Sequence, residues 1–192
     1  SQRAMGATDS AIKLAESAGA TLGCAGSKVG VSDALFQLGE VARMLDDLDR
    51  AEHHYRKAQR GYRRVGSNKR LNAEMMLAMV LVERQAYLEA RLLLEQLLSI
   101  ARHRENKAMT ATLHLLLANC CAQDESWIEW NEHIQFADQI LRETPMIDFD
   151  IATYAERAAL GAYQANQLNS AKIPQAIADT QFSVLRKDLS LP

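Results

Sequence analysis

The side chains with chemical potential in this chain are few and scattered. Gly23–Lys28, reading GCAGSK, has the glycines and lysine of a phosphate-cradling loop. The lysine does not directly follow the closing glycine, and no strand-like segment precedes it, so a nucleotide loop is not assembled. A flexible connector fits better. The imidazoles are His53, His54, His103, His114 and His133, and the thiols are Cys24, Cys120 and Cys121. His114 and Cys121 stand two turns apart on one helix face, yet no second pair with ligand spacing accompanies them. Cys120 and Cys121 fall on a segment that needs small packed residues, which predicts buried structural thiols. No Ser-His-Asp or Cys-His order suggests nucleophilic catalysis. The sequence implies no catalytic residue, no metal and no cofactor, and hence no enzyme in this chain.

Charge narrows the partners further. Arg56, Lys57, Arg60, Arg63, Arg64, Lys69 and Arg70 form a basic stretch at 56–70, but the formal net charge is −2. Cations toward a helix C-terminus complement its dipole, and Asp47, Asp49 and Glu52 occupy the first turns of the same helix. Tyr62 alone is interleaved, too little for a base-stacking platform. A solvated convex face is preferred over a nucleic-acid or acidic-partner site. Three cysteines are too few for a disulfide framework, which points to a reducing, cytoplasmic setting. The longest apolar run, Met75 to Val82, is far short of a membrane span.

The elements that must position any site repeat themselves. Leu38-Gly39, Leu77-Ala78, Leu117-Ala118 and Ala158-Ala159 are each followed thirteen residues on by Ala51, Ala90, Trp130 and Ala171. One large apolar residue stands between: Leu48, Tyr87, Trp127 and Leu168. A unit of about 40 residues made of two amphipathic helices cannot bury its apolar faces alone, so stacking must build the core. The expected helix pairs are 33–45 with 48–65, 69–84 with 87–103, 107–123 with 127–144, and 148–166 with 169–187. Ser32 is the expected cap of the first helix, and Asp46 or Asp47 that of the second. Gly66 suits a helix end, Ser126 with Glu129 reads as a capping box, and Pro174 predicts a kink or a late start. Residues 1–30 read as a partial repeat (its second helix only, 3–18) and a flexible Gly-rich loop, and 31–192 as about four repeats. Opening at Ser1 in mid-repeat, the chain looks like a piece of a longer protein.

Residues 32–65 carry the best family pattern: Leu38-Gly39, Ala51, Tyr55 and Ala58. They resemble tetratricopeptide repeats in their longer variety, which implies an all-α fold of tandem helix-turn-helix units forming a right-handed solenoid. Trp130, where a small residue is expected, and Gln175, where Tyr55 stands in the first unit, depart from the pattern and predict loose or special geometry there. WIEWNEHIQFADQILRETPMIDFDIATYAERA and LNSAKIPQAIA are similar to the C-terminal arrays of large bacterial serine/threonine protein kinases, and also to those of ATP-dependent transcriptional regulators. The kinase's catalytic motifs are absent from the sequence, so the resemblance implies a regulatory or docking region.

In that family the first helix of each unit lines a concave groove. The resemblance places Phe36, Glu40, Met44, Met75, Met79 and Glu83 there, followed by Leu115, Asn119, Gln123, Glu156, Leu160 and Tyr163. The Lys and Asn that clamp acidic chain ends in some relatives are missing. An apolar, Met-rich surface remains, suited to varied apolar segments; the bland alternative is that some of these side chains are inter-repeat core. The implied partner is a protein or peptide, a neighbouring domain of the same parent chain, or a second copy. Membrane is excluded and nucleic acid disfavoured.

Overall fold

The computed structural model describes residues 12–14, 17, 20, 21 and 26–189. From residue 28 the helices are α1 (Lys28–Met44), α2 (Leu48–Arg64), α3 (Arg70–Glu83), α4 (Tyr87–His103), α5 (Lys107–Gln123), α6 (Trp127–Glu143), α7 (Phe149–Gln164) and α8 (Lys172–Leu189). Residues 12–14, 17, 20 and 21 are also helical, and no strand occurs among the described residues. Cys24 lies outside them. The chain divides into two compact units, Ser1–Ala86 and Tyr87–Pro192.

Helix starts follow local side-chain chemistry, with two corrections. α1 begins five residues before the expected 33, because Ser27, not Ser32, accepts the free amide of Gly30 at 3.1 Å. Ser32 is instead buried within the helix, its hydroxyl donating to the Lys28 carbonyl at 3.0 Å. The last residues of the supposed loop therefore belong to α1. Asp47 caps α2, Asn106 caps α5 and Asp148 caps α7 through side-chain oxygens. The second correction is Ser126, which makes no side-chain cap bond on α6. Its intended partner Glu129 is drawn to the Arg91 guanidinium and the Cys121 thiol. Pro174 produces the late start: α8 begins at Lys172, so the proline sits in the first turn, where its missing N–H leaves nothing unpaired.

Helix ends share one device. At Asp46, Gly66, Gln85, Glu105, Glu125 and Asn166 the backbone turns left-handed, with φ between 54° and 66°. Gly66 shows the bonding: its N–H reaches the Arg63 carbonyl at 3.2 Å, and that of Ser67 reaches Tyr62 at 2.9 Å. These are the two bonds of a Schellman stop. Only one of the six positions is glycine, so the others carry left-handed strain for the same turn.

Within the first unit, α2 packs against both α1 and α3. Its inward stripe, Ala51, Tyr55, Ala58 and Tyr62, is buried. Gly39 permits the contact, since a Cβ there would stand 2.6 Å from the Tyr55 ring. Within the second unit, α5 packs against α4, α6 and α7, and α8 lies against α7 and α6. Trp130 is fully buried in a regular α6. Gln181 of α8 fastens the preceding bend by accepting from Asp148 N–H at 2.9 Å and donating to the Met146 carbonyl at 2.8 Å.

Candidate partner-binding site

The sequence-derived groove residues separate into open and closed groups. Phe36 on α1 is half-buried, packed edge-on to Tyr55 with centroids 5.6 Å apart. One turn on, Glu40 accepts the Tyr55 hydroxyl, and burial together with that bond pushes the phenol pKa well above its usual value. Met44 is 84% exposed at the end of α1. Glu83, on α3, is half-buried and pairs with Arg43 of α1 at 3.9 Å.

Met75 and Met79 correct the Met-rich surface. Met79 is 2% exposed and Met75 is 9%, because α3 is apolar almost all round and is covered on almost all sides. Leu115 is likewise fully buried, as α5 buries every residue from Thr110 to Ala118. These three are core. Asn119 is half-buried and its amide donates to the Leu115 and Tyr154 carbonyls at 2.8 and 3.0 Å, which ties α5 to α7. Gln123, Glu156, Leu160 and Tyr163 are exposed in the second unit.

What the sequence reading missed lies one turn before Phe36. Asp33 receives the Tyr62 hydroxyl at 2.6 Å and the Lys69 ammonium at 2.8 Å. Burial would raise the Asp33 carboxyl, but the Lys69 and Tyr62 hydrogen bonds outweigh it and hold it below its ordinary value. These residues, with Phe36, Gln37 and Asn72, line a cavity of about 350 Å³. An apolar wall, an ion pair and two exposed amides in one recess are the mix that small recognition sites use. The available signal was weak: Asp33 and Lys69 are 36 positions apart, and only the fold joins them.

The basic stretch is partly structural. Arg56 pairs with Glu52 at 2.7 Å, Arg70 with Glu74 at 3.5 Å, and Lys69 with Asp33. Tyr62, its one aromatic, is buried. Cys120 and Cys121 are both buried, and burial pushes their thiols up to about 12 and about 11, so little thiolate forms near neutral pH.

A second polar group sits inside the second unit. His114 on α5 is 1% exposed, with Nδ1 2.9 Å from His133 Nδ1 and Nε2 3.2 Å from the Arg102 guanidinium. Arginine can only donate, so neutral His114 accepts at Nε2 and donates from Nδ1 to His133. Burial, then the neighbouring cations, lowers the His114 pKa to about 3.

No family model matches the sequence, and no curated protein matches it. Among solved structures, the apo form of RapI superposes with a TM-score of 0.72 at 14% identity, over 94% of this chain and 64% of that one. BtubC from P. vanneervenii gives 0.64 at 14% identity, over 83% and 66%. A MamA fragment from Desulfovibrio magneticus RS-1 gives 0.56 at 16% identity, over 90% and 96%. These are tetratricopeptide-like helical repeat proteins. The fold is therefore of tetratricopeptide type. The chain spans just under two thirds of RapI's length. Among the described residues, no helix is long and apolar enough to cross a membrane.

Proposed function

We propose that the chain is a non-catalytic interaction module whose first unit receives a peptide or helix on the face shared by α1 and α3. The observation that carries this reading is the recess of about 350 Å³ at Phe36, where apolar surface adjoins the Asp33–Lys69 pair and the amides of Gln37 and Asn72. Met44, Glu40 and Glu83 extend the same helices toward their C-terminal ends. Fold likeness to repeat proteins supports a scaffold role, and the lack of a nucleophile–base arrangement in the sequence agrees with it. The resemblance of residues 127–178 to kinase C-terminal arrays supports placement in a larger bacterial signalling protein, as a cytoplasmic docking region beside its catalytic part. An array from an ATP-dependent transcriptional regulator is the alternative parent. Assembly with a second copy is the reading favoured by Leu88, Leu92 and Ile128, which are 81%, 58% and 80% exposed.

Selection of displayed peptides against the full chain tests the proposal. Gln37→Arg with Asn72→Arg would fill the recess from two exposed positions without touching the core. Enriched peptides should lose affinity at least about tenfold in this variant while its melting is unchanged. Failure to enrich any peptide, or equal binding by the variant, would overturn the reading.

A further inference from the structure

The outer surface of the second unit carries apolar residues inside an acidic rim. Leu88 and Leu92, one turn apart on α4, are exposed, and so is Ile128 at the start of α6. Arg91 joins the two helices: its guanidinium reaches Asp124 at 3.4 Å and also bonds Glu129, the residue beside Ile128. It bonds Glu95 of its own helix at 3.1 Å as well. The segments 87–96 and 123–132 hold six carboxylates, Glu89, Glu95, Asp124, Glu125, Glu129 and Glu132, all exposed. Arg91 is the one cation in these segments, and its charge is already shared among three of the six.

The repeat shows that this row is not a seat for the array's own helices. Two residues before Ala51, Ala90, Trp130 and Ala171 stand Asp49, Leu88, Ile128 and Asn169. All four are exposed, so the row faces outward in every unit. One turn on, His53, Leu92 and Glu132 are exposed too. In the first and last units the leading position is polar, as a solvated row should be; in the two central units it is leucine and isoleucine. Apolar side chains grouped on a solvent-facing surface and rimmed by charge mark a docking surface. The apolar residues alone would suit a second copy, but an isologous pairing would set this acidic rim against itself. The complementary rim is basic.

We propose that the α4–α6 surface docks a basic amphipathic helix of a partner protein, with its apolar stripe on Leu88, Leu92 and Ile128 and its Lys or Arg side chains facing the surrounding carboxylates. Leu88 and Leu92 match an apolar stripe that recurs every turn, which is what a helix presents. Apolar burial supplies the affinity, and the carboxylates supply steering and charge selection that salt must weaken. The same carboxylates repel nucleic acid. These residues belong to the second unit and the Phe36 recess to the first, so the two sites stand or fall separately.

The test uses the full chain and a labelled synthetic helix of about five turns, with a leucine stripe and Lys and Arg on its polar face. Its counterpart has the same stripe and Glu on the polar face. Fluorescence anisotropy should show the basic peptide binding at micromolar concentrations, weakening with salt, and the glutamate peptide not binding. Leu88→Gln with Ile128→Gln should weaken the basic peptide at least about tenfold, with melting unchanged because both side chains are exposed. Glu125→Lys with Glu132→Lys should do the same while leaving the carboxylates bonded to Arg91 in place. The recess variant Gln37→Arg with Asn72→Arg should bind this peptide normally, which separates the surface from the α1–α3 face. No binding, equal binding of both peptides, or unweakened binding by either second-unit variant would overturn the proposal. So would a dimer, seen by sedimentation of the chain alone, that Leu88→Gln with Ile128→Gln dissociates, since the patch would then belong to a second copy.

Discussion

α1 in the first unit and α5 in the second hold the same place in their repeats and treat it in opposite ways. On α1, Phe36 and Glu40 are partly open and Met44 is exposed. On α5, Leu115 is sealed and Asn119 is committed to the Tyr154 carbonyl, leaving only Gln123 exposed. The cause is enclosure. Among the described residues, α5 packs within its unit against three helices and α1 packs against α2. A helix covered on three sides turns recognition positions into core. Equivalence in sequence is therefore not equivalence in exposure.

The largest expected effect tests this directly. Leu115→Ala should cost about 2–5 kcal/mol of unfolding free energy, as for buried leucines generally, while Met44→Ala should stay within about 0.5 kcal/mol. Denaturant melts of the two variants check this, and equal costs would break the comparison.

The units also differ in how glycine is used. Gly39→Ala would drive a methyl to 2.6 Å from the Tyr55 ring, and overpacking of this kind costs about 1–3 kcal/mol. Gly161→Ala would place its methyl 3.5 Å from Ala122, an ordinary contact, and should stabilise by about 0.5–1 kcal/mol through helix propensity. The same substitution should thus have opposite signs in the two units. Thermal melts of both variants decide it.

Acid should sharpen the contrast. The folded His114 pKa of about 3 lies below its ordinary value of 6.5, so between them the unfolded chain binds a proton that the folded chain refuses. Stability from the second unit is therefore lost as pH falls from about 6.5 toward 3. Arg102 and Arg91 push the pair the same way, and Glu129 and Glu95 partly oppose this at His133. In the first unit, Asp33 and Glu52 have lowered pKa values, so their contribution holds until pH drops through the carboxylate range. Hydrogen exchange at pH 7 and at pH 5 should show α5 and α6 losing protection before α1 and α2. His114→Gln should flatten the loss, and uniform loss in both units would contradict it.

The smallest effect concerns the stops. Gln85→Gly and Glu125→Gly relieve φ values of 62° and 54°, and each should stabilise by about 1 kcal/mol or less. Melting temperatures that rise in both variants would confirm one stop serving both units.

Much of the architecture was legible because it is local. The Leu-small pairs, the Asp47 cap and the Gly66 stop act within a few residues, and α4, α5 and α6 lie within a residue of their expected bounds. Errors arose where a side chain had a distant alternative. Glu129 left its capping box for Arg91, and Ser27 caps α1 while Ser32 stands inside the helix beside Gly61. The candidate site was legible only in outline: Phe36 and Glu40 were found, but Asp33, Lys69 and Asn72 were not.

Periodicity and capping chemistry act along the chain, so the sequence alone determined an all-helical repeat, its period and the small-residue positions where its helices meet. Burial acts across the chain, so only tertiary structure decided that Met79 and Leu115 are core and that Asp33 meets Lys69. It also decided which basic residues are taken up in ion pairs, as Arg56 is with Glu52 and Arg70 with Glu74. A helical pattern records which face is apolar. How many neighbours cover that face depends on residues far away in sequence.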